Sequence, residues 1–172
     1  HTGNIEDCVQ QLVRGGADLM ITYEAQSVDD GTAVAAGTAP RRVLGEETLL
    51  PVATTPPASL AESNRLRVLN YPEQSFLGRV VRTHCLPPAV RRYNVEIVCE
   101  SAFAVGLREM CLAGLGIAWL PHGLVAREIE ASNLHALAGQ LAAPELGVVA
   151  RRLADNANPA LEELWPRLEA EA

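Results

Sequence analysis

Hydroxyl and aromatic side chains follow four predicted strands of this chain, where they could hold a small molecule. In open α/β sheets, ligands bind outside the carboxyl ends of the strands, beside helix starts whose free N–H groups suit carboxylates and other anions. The candidate binding residues are Thr22, Tyr23, Tyr71, Ser75, Phe76, Ser101, Ala102, Phe103 and Pro121. These side chains offer hydrogen bonding and ring packing, so they predict binding of a small ligand, with anions favoured at the helix starts.

Four of these residues also allow a structural interpretation. The hydroxyls of Ser75 and Ser101 stand at predicted helix starts, where they could bind an anion or simply cap the helix. The rings of Tyr71 and Phe103 could pack on an apolar ligand or on a neighbouring part of the fold. The sequence leaves both interpretations open.

The sequence contains none of the patterns that carry common catalytic or metal chemistry. The histidines are scattered and form no HExxH or i, i+4 pair. They are His1, His84, His122 and His135. No GxSxG elbow is present, and no GxGxxG follows a predicted strand. We therefore expect no enzymatic activity, no cofactor and no metal site.

The cysteines show no CxxC motif, which favours reduced thiols in the core. They are Cys8, Cys85, Cys99 and Cys111. Redox sensing through Cys85, Cys99 or Cys111 is the alternative. Cys85 is its best candidate, because the nearby Arg82 and His84 could favour the thiolate.

Alternating helices and strands would position these residues. Apolar residues at helical spacing from Asn4 to Arg14 predict an amphipathic helix, which Gly15 and Gly16 end. Apolar or alternating runs predict strands at 17–22, 43–54, 66–69, 95–99, 117–120, 134–137 and 146–150. Further helices are predicted at 58–65, 75–86, 101–113 and 159–168, and a long loop at 24–40. This order indicates an α/β fold with parallel or mixed sheets.

Prolines and glycines mark several of the element boundaries. In LAGLGIAWLP, residues 112–121, Gly114 can end a helix and Gly116 keeps the next turn tight. The apolar residues 117–120 are too few for a helix and predict a strand covered on both faces. Pro121 suits the first turn of the next helix, whereas Pro51 should reduce part of its strand to an edge or a bend.

The composition is that of a soluble domain with an acidic balance. The chain has 172 residues, a net charge of −7 and a pI near 5.1, which argues against general affinity for nucleic acid. No apolar run reaches the roughly 20 residues of a membrane span, and no basic-then-apolar leader is present. We therefore expect no membrane contact and a cytoplasmic location.

Three segments, in order, resemble the effector-binding domain of LysR-type transcriptional regulators. QLVRGGADLMI at 11–21 is similar to their L-x-x-G-x-L-D-L-A-I stretch, and VLGEETLLPV at 43–52 is similar to L-x-x-E-x-L-V-P-V. SAFAVGLREMCLAGLGIAWLP at 101–121 resembles S-x-x-x-x-x-x-L-V-x-A-G-L-G-I-A-x-L-P. YPEQSFLGR at 71–79 resembles the subgroup near the hypochlorite-responsive member. The resemblance covers essentially the whole chain.

The resemblance implies two α/β lobes of the type II periplasmic-binding-protein fold, with a cleft for a small-molecule effector between them. Residues 1–69 and 142–172 would form lobe I, and residues 70–141 would form lobe II. The family's effector positions match best at Ser75, Ser101, Ala102 and Phe103, and less well at Thr22 and Tyr23. The full-length protein would be a homo-oligomer, a dimer or tetramer. A solute-binding protein of transport shares the fold and is an alternative.

Two parts of the family pattern are absent from this chain. The winged helix-turn-helix is missing, so contact with DNA is expected only through a domain outside this sequence. The first strand and helix of lobe I are also missing, because His1 aligns within the family's second strand. An absent central strand leaves backbone groups unpaired. We therefore expect lobe I to be rearranged, partly disordered or completed by another chain.

Overall fold

The computed structural model describes residues 3–26, 28, 40–62 and 64–168. The helices are α1 (Ile5–Val13), α2 (Pro57–Glu62), α3 (Phe76–Val80), α4 (Leu86–Val90), α5 (Ala104–Leu112), α6 (His122–Glu130) and α7 (Pro159–Leu164). A π-helical turn (Val81–Cys85) joins α3 to α4, and a 3-10 turn (Trp165–Arg167) follows α7. The strands are β1 (Met20–Glu24), β2 (Arg41–Ala53), β3 (Arg65–Asn70), β4 (Asn94–Glu100), β5 (Ile117–Pro121), β6 (His135–Ala136) and β7 (Glu145–Arg151). Most of the predicted loop at 24–40 lies outside the described residues.

The chain divides into two compact units that differ in extent from the predicted lobes. The first unit contains residues 1–46 and 146–172, and the second contains residues 47–145. Residues 47–69 and 142–145, which the prediction assigned to lobe I, therefore belong to the second unit. The reason is hydrogen bonding, because β3 and the end of β2 pair with strands of that unit.

In the first unit, β1 and β7 pair antiparallel, with Met20 opposite Arg151. The strand that was predicted at 17–22 begins three residues later, and β7 lies between β1 and β2 in the strand order. Helix α1 confirms the predicted amphipathic helix, and it ends before Gly15, which has a φ of 71°. Trp165 and Leu161 form the core with Ala150 of β7.

In the second unit, β5 lies between one antiparallel and one parallel neighbouring strand. It pairs antiparallel with β2 and parallel with β3, and β3 also pairs parallel with β4. All five residues of β5 are buried, which confirms the prediction of a strand covered on both faces. Because β3, β4 and β5 run in one direction, their carboxyl ends lie at the same edge of the sheet.

Three proline segments differ from the predictions. Pro51 lies inside β2 without bending it out of the sheet, since its carbonyl accepts from the N–H of Leu137 at 2.8 Å. Pro121 is the last residue of β5, and α6 begins one residue later. The pair at 87–88 does not end the helical segment, because it occupies the first turn of α4, where a missing N–H costs little.

Candidate functional site

The carboxyl ends of β3 and β4 meet at the predicted binding edge. β3 ends at Asn70 and β4 ends at Glu100, so Tyr71 and Ser101 begin the two following loops. The N–H of Ser101 donates to the carbonyl oxygen of Asn70 at 3.0 Å. This hydrogen bond links the start of the second loop to the last residue of β3.

The turn at residues 101–103 is the most accessible part of this edge. The hydroxyl of Ser101 accepts from the N–H of Phe103 at 3.2 Å, and α5 begins only at Ala104. Ser101 therefore stands two residues before the N-cap Phe103, although the prediction made Ser101 the cap of this helix. Ala102 is exposed, and Phe103 exposes 77% of its surface. A ligand could contact both side chains without any rearrangement.

Ser75 has a structural role in this conformation. Its hydroxyl donates to the carbonyl of Pro72 at 2.8 Å and accepts from the N–H of Gly78 at 3.0 Å. These bonds cap α3, whose first residue is the half-buried Phe76. The geometry thus favours the capping interpretation of Ser75.

Tyr71 and Pro121 are buried rather than exposed at the edge. The side chain of Tyr71 exposes 1% of its surface and is part of the core of the second unit. Pro121 is buried as well and pairs with Leu49 of β2. Neither residue offers a ligand much surface here, which favours the packing interpretation of Tyr71.

Thr22 and Tyr23 lie within a strand of the first unit, which extends beyond its predicted end at residue 22. They pair with Val149 and Val148 of β7, because β1 continues to Glu24. The buried hydroxyl of Thr22 has no hydrogen-bond partner in the described part of the chain. Thr22 is therefore the better candidate of the two for contact with a polar group.

Asn70 is a candidate that sequence reasoning missed. It exposes 7% of its surface, and its side-chain oxygen Oδ1 has no hydrogen-bond partner among the described residues. A buried acceptor without a partner is costly, so a donor from a ligand would stabilise it. The available signal was a polar amide at the end of the apolar run in LRVLN.

The buried cysteines are poor thiolates. Burial raises the pKa of Cys85 to about 12 and the pKa of Cys111 to about 11. Arg82, which was expected to favour the Cys85 thiolate, pairs with Glu73, while the thiol of Cys85 is fully buried. Cys99 is half-buried. A low-pKa sensor thiol at Cys85 or Cys111 thus has no electrostatic basis.

Neither a metal-binding cluster nor a membrane-spanning helix occurs among the described residues. Within them, no three His, Cys, Asp or Glu side chains come together as a metal site would require. No helix in the same part of the chain is long and apolar enough to cross a membrane.

The comparisons with known proteins agree on one family. The family model of the LysR substrate binding domain matches residues 1–172. The "HTH domain-truncated transcriptional regulator QseD" of Escherichia coli O157:H7 is 28% identical over 101 residues. That match covers 59% of this chain and 41% of QseD, so it spans less than half the length of this relative.

Solved structures show the same fold. The bromide-bound regulatory domain of HypT from Salmonella typhimurium has a TM-score of 0.77 and 22% identity, covering 96% of this chain and 77% of that chain. Full-length LysG from Corynebacterium glutamicum, with its effector Arg bound, has a TM-score of 0.63 and 20% identity, covering 98% and 55%. Full-length HypT from Salmonella typhimurium is a hypochlorite-specific LysR-type transcriptional regulator.

The family match extends over the whole chain and confirms the resemblance seen in the three sequence segments. The structural matches confirm the predicted α/β fold of the type II periplasmic-binding-protein kind. The transport alternative receives no support from them. The chain belongs to the LysR substrate-binding domain family.

Proposed function

We propose that this chain binds a small-molecule effector and passes the resulting change to the DNA-binding domains of a LysR-type regulator. The observation that carries the proposal is the exposed turn at 101–103, which is held beside the buried amide of Asn70. LysG with its bound effector Arg supports a small organic ligand, and bromide bound to HypT supports an anionic group.

The site supplies three kinds of contact to such an effector. The Oδ1 atom of Asn70 accepts a hydrogen bond from an N–H or O–H of the effector. The ring of Phe103 covers an apolar part, and the first turn of α5 favours a negative charge. An effector that combines a donor, an anionic group and a short apolar part fits this set.

The mechanism is binding without bond formation or cleavage. The effector shifts the equilibrium between conformations of the chain by its difference in affinity for them. The full-length protein is a cytoplasmic homo-oligomer, a dimer or tetramer, which contacts DNA through helix-turn-helix domains.

A thermal-shift screen of small carboxylates and oxidants tests the proposal, because a ligand raises the melting temperature by mass action. Ser101→Ala and Phe103→Ala should weaken a hit while the unliganded protein melts as before. Val90→Ala is the matched control, since Val90 is also exposed (58%) but lies at the end of α4, before the start of β4 and away from the turn. Unchanged affinity in both turn variants would place the effector elsewhere, and turnover of a bound compound would contradict a binding function.

A further inference from the structure

A cavity of about 170 Å³ lies in the second unit, at the starts of β3 and β5. The candidate effector site lies at the opposite, carboxyl end of β3, so the cavity is separate from it. The lining comes from the residues after β2, from α2, from the start of β3 and from the turn before β5. They include Thr54, Ser59, Arg65, Arg67, Gly116 and Leu137.

The cavity carries a positive charge that is only partly compensated. Arg65 pairs with Glu96 of β4, with 2.9 Å between Nη2 and Oε2, and the two side chains expose 71% and 51% of their surface. Arg67 forms no ion pair with any described residue. One guanidinium group among the lining residues therefore has no ionic partner in the described part of the chain.

Hydroxyl groups and apolar walls complete the lining. The side chains of Thr54 and Ser59 form no hydrogen bonds within the described ranges, so both hydroxyls can donate to a ligand. Leu60 and Leu137 are buried and form apolar walls. A Cβ atom on Gly116 would lie 2.7 Å from the carbonyl oxygen of Arg67, so main-chain atoms form this part of the wall.

We propose that this cavity binds a small organic carboxylate. Its volume equals about five or six water molecules, which suits a ligand of roughly six non-hydrogen atoms. The carboxylate would pair with the guanidinium of Arg67 and accept from the hydroxyl of Thr54, since arginine matches carboxylate geometry. The hydrocarbon part would lie against Leu137. This site is independent of the proposed effector site.

Butyrate and butyramide are the matched probes, because they share a shape and differ in charge. We expect butyrate to shift the NMR amide signals of Gly114 and Gly116 in the uniformly ¹⁵N-labelled chain and to saturate at about millimolar concentration. Butyramide should bind at least about tenfold more weakly. Equal shifts with both probes, or no saturable shift at these two glycines, would overturn the proposal.

Substitutions then identify the group that binds the carboxylate. Arg67→Ala should weaken butyrate binding about tenfold, whereas Arg91→Ala removes the same charge from an exposed position elsewhere and should have no effect. Glu96→Gln releases Arg65 and should tighten binding about twofold. Thr54→Val keeps the side-chain shape and provides a second test if Arg67→Ala fails to fold. If Arg67→Ala binds butyrate as tightly as the wild type, the site is refuted. If Arg67→Ala does not fold, unaltered affinity in Thr54→Val refutes it instead. Ser101→Ala should leave butyrate binding at the cavity unchanged.

Discussion

A single carboxylate joins three strands of the first unit, and its removal is the most informative test of that unit. Glu24, at the end of β1, accepts from the Nε atom of Arg41 at 2.9 and 3.0 Å. The same carboxylate pairs with Arg151 of β7, which exposes only 6% of its surface. Substitution of Glu24 leaves one largely buried guanidinium beside another positive charge.

The expected loss of stability follows from this burial. Breaking a fully buried pair by removing one partner costs about 3–5 kcal/mol. The side chains of Glu24 and Arg41 expose 22% and 43% of their surface, so water compensates part of that loss. We expect Glu24→Gln to lower the free energy of unfolding by about 2 kcal/mol.

The two tryptophans allow the first unit to be followed separately. Trp165 lies in the first unit and Trp119 in the second, and the chain contains no others. In a Trp119→Phe background, urea unfolding followed by fluorescence therefore reports on Trp165.

Glu163→Gln is the control, because Glu163 pairs with Arg167 at 2.8 Å while both side chains are 71% exposed. Such a pair contributes less than about 0.5 kcal/mol. If the two substitutions lower stability equally, the reasoning about the buried guanidinium is refuted.

Three further predictions concern single polar groups. Asn70→Leu should leave the free energy of unfolding within about 1 kcal/mol of wild type, because the lost oxygen has no partner among the described residues. The same substitution should weaken effector binding, and thermal-shift measurements report both effects. A hydrogen bond from Asn156 lowers the pKa of Asp18 below its usual value. The stability it gives is present above the unfolded pKa and is lost as pH falls through the lower folded pKa. Urea titrations should therefore show the gap between wild type and Asn156→Ala narrowing as pH falls below the ordinary carboxyl value of 3.8. Cys85 and Cys111 should resist a thiol reagent at pH 8 until the protein unfolds, since a pKa of about 12 leaves Cys85 roughly one part in ten thousand ionised.

Local patterns predicted most elements because their causes are local. The stripe of α1 and the apolar run of β5 each carry their own signal, and both elements form where the sequence indicates them. The effect of Pro51 on its strand was predicted wrongly, because a strand tolerates a proline where the neighbouring segment needs only the proline carbonyl as a hydrogen-bond acceptor. That requirement depends on Leu137, which is remote in sequence.

The two strand ends beside the candidate site were predictable to within one residue along the chain. Sequence reasoning located the ends of β3 and β4, but it could not determine which side chain at each end faces the interior. Tyr71 is buried and Phe103 is exposed, although both are aromatic residues at strand ends. Asn70 was overlooked because an amide at a strand end resembles an ordinary turn residue. Its burial depends on the tertiary packing around it.

The glycine before β5 has a consequence for how related chains can diverge. Because no side chain fits at Gly116, main-chain peptide groups form that boundary of the cavity. Substitutions at other positions leave these peptide groups in place. Exchanges at Thr54 or Arg67 would therefore change which compounds are accepted while the outline of the space persists. Descendants of one ancestral gene could acquire new ligand preferences here through one or two codon changes, without rebuilding the sheet.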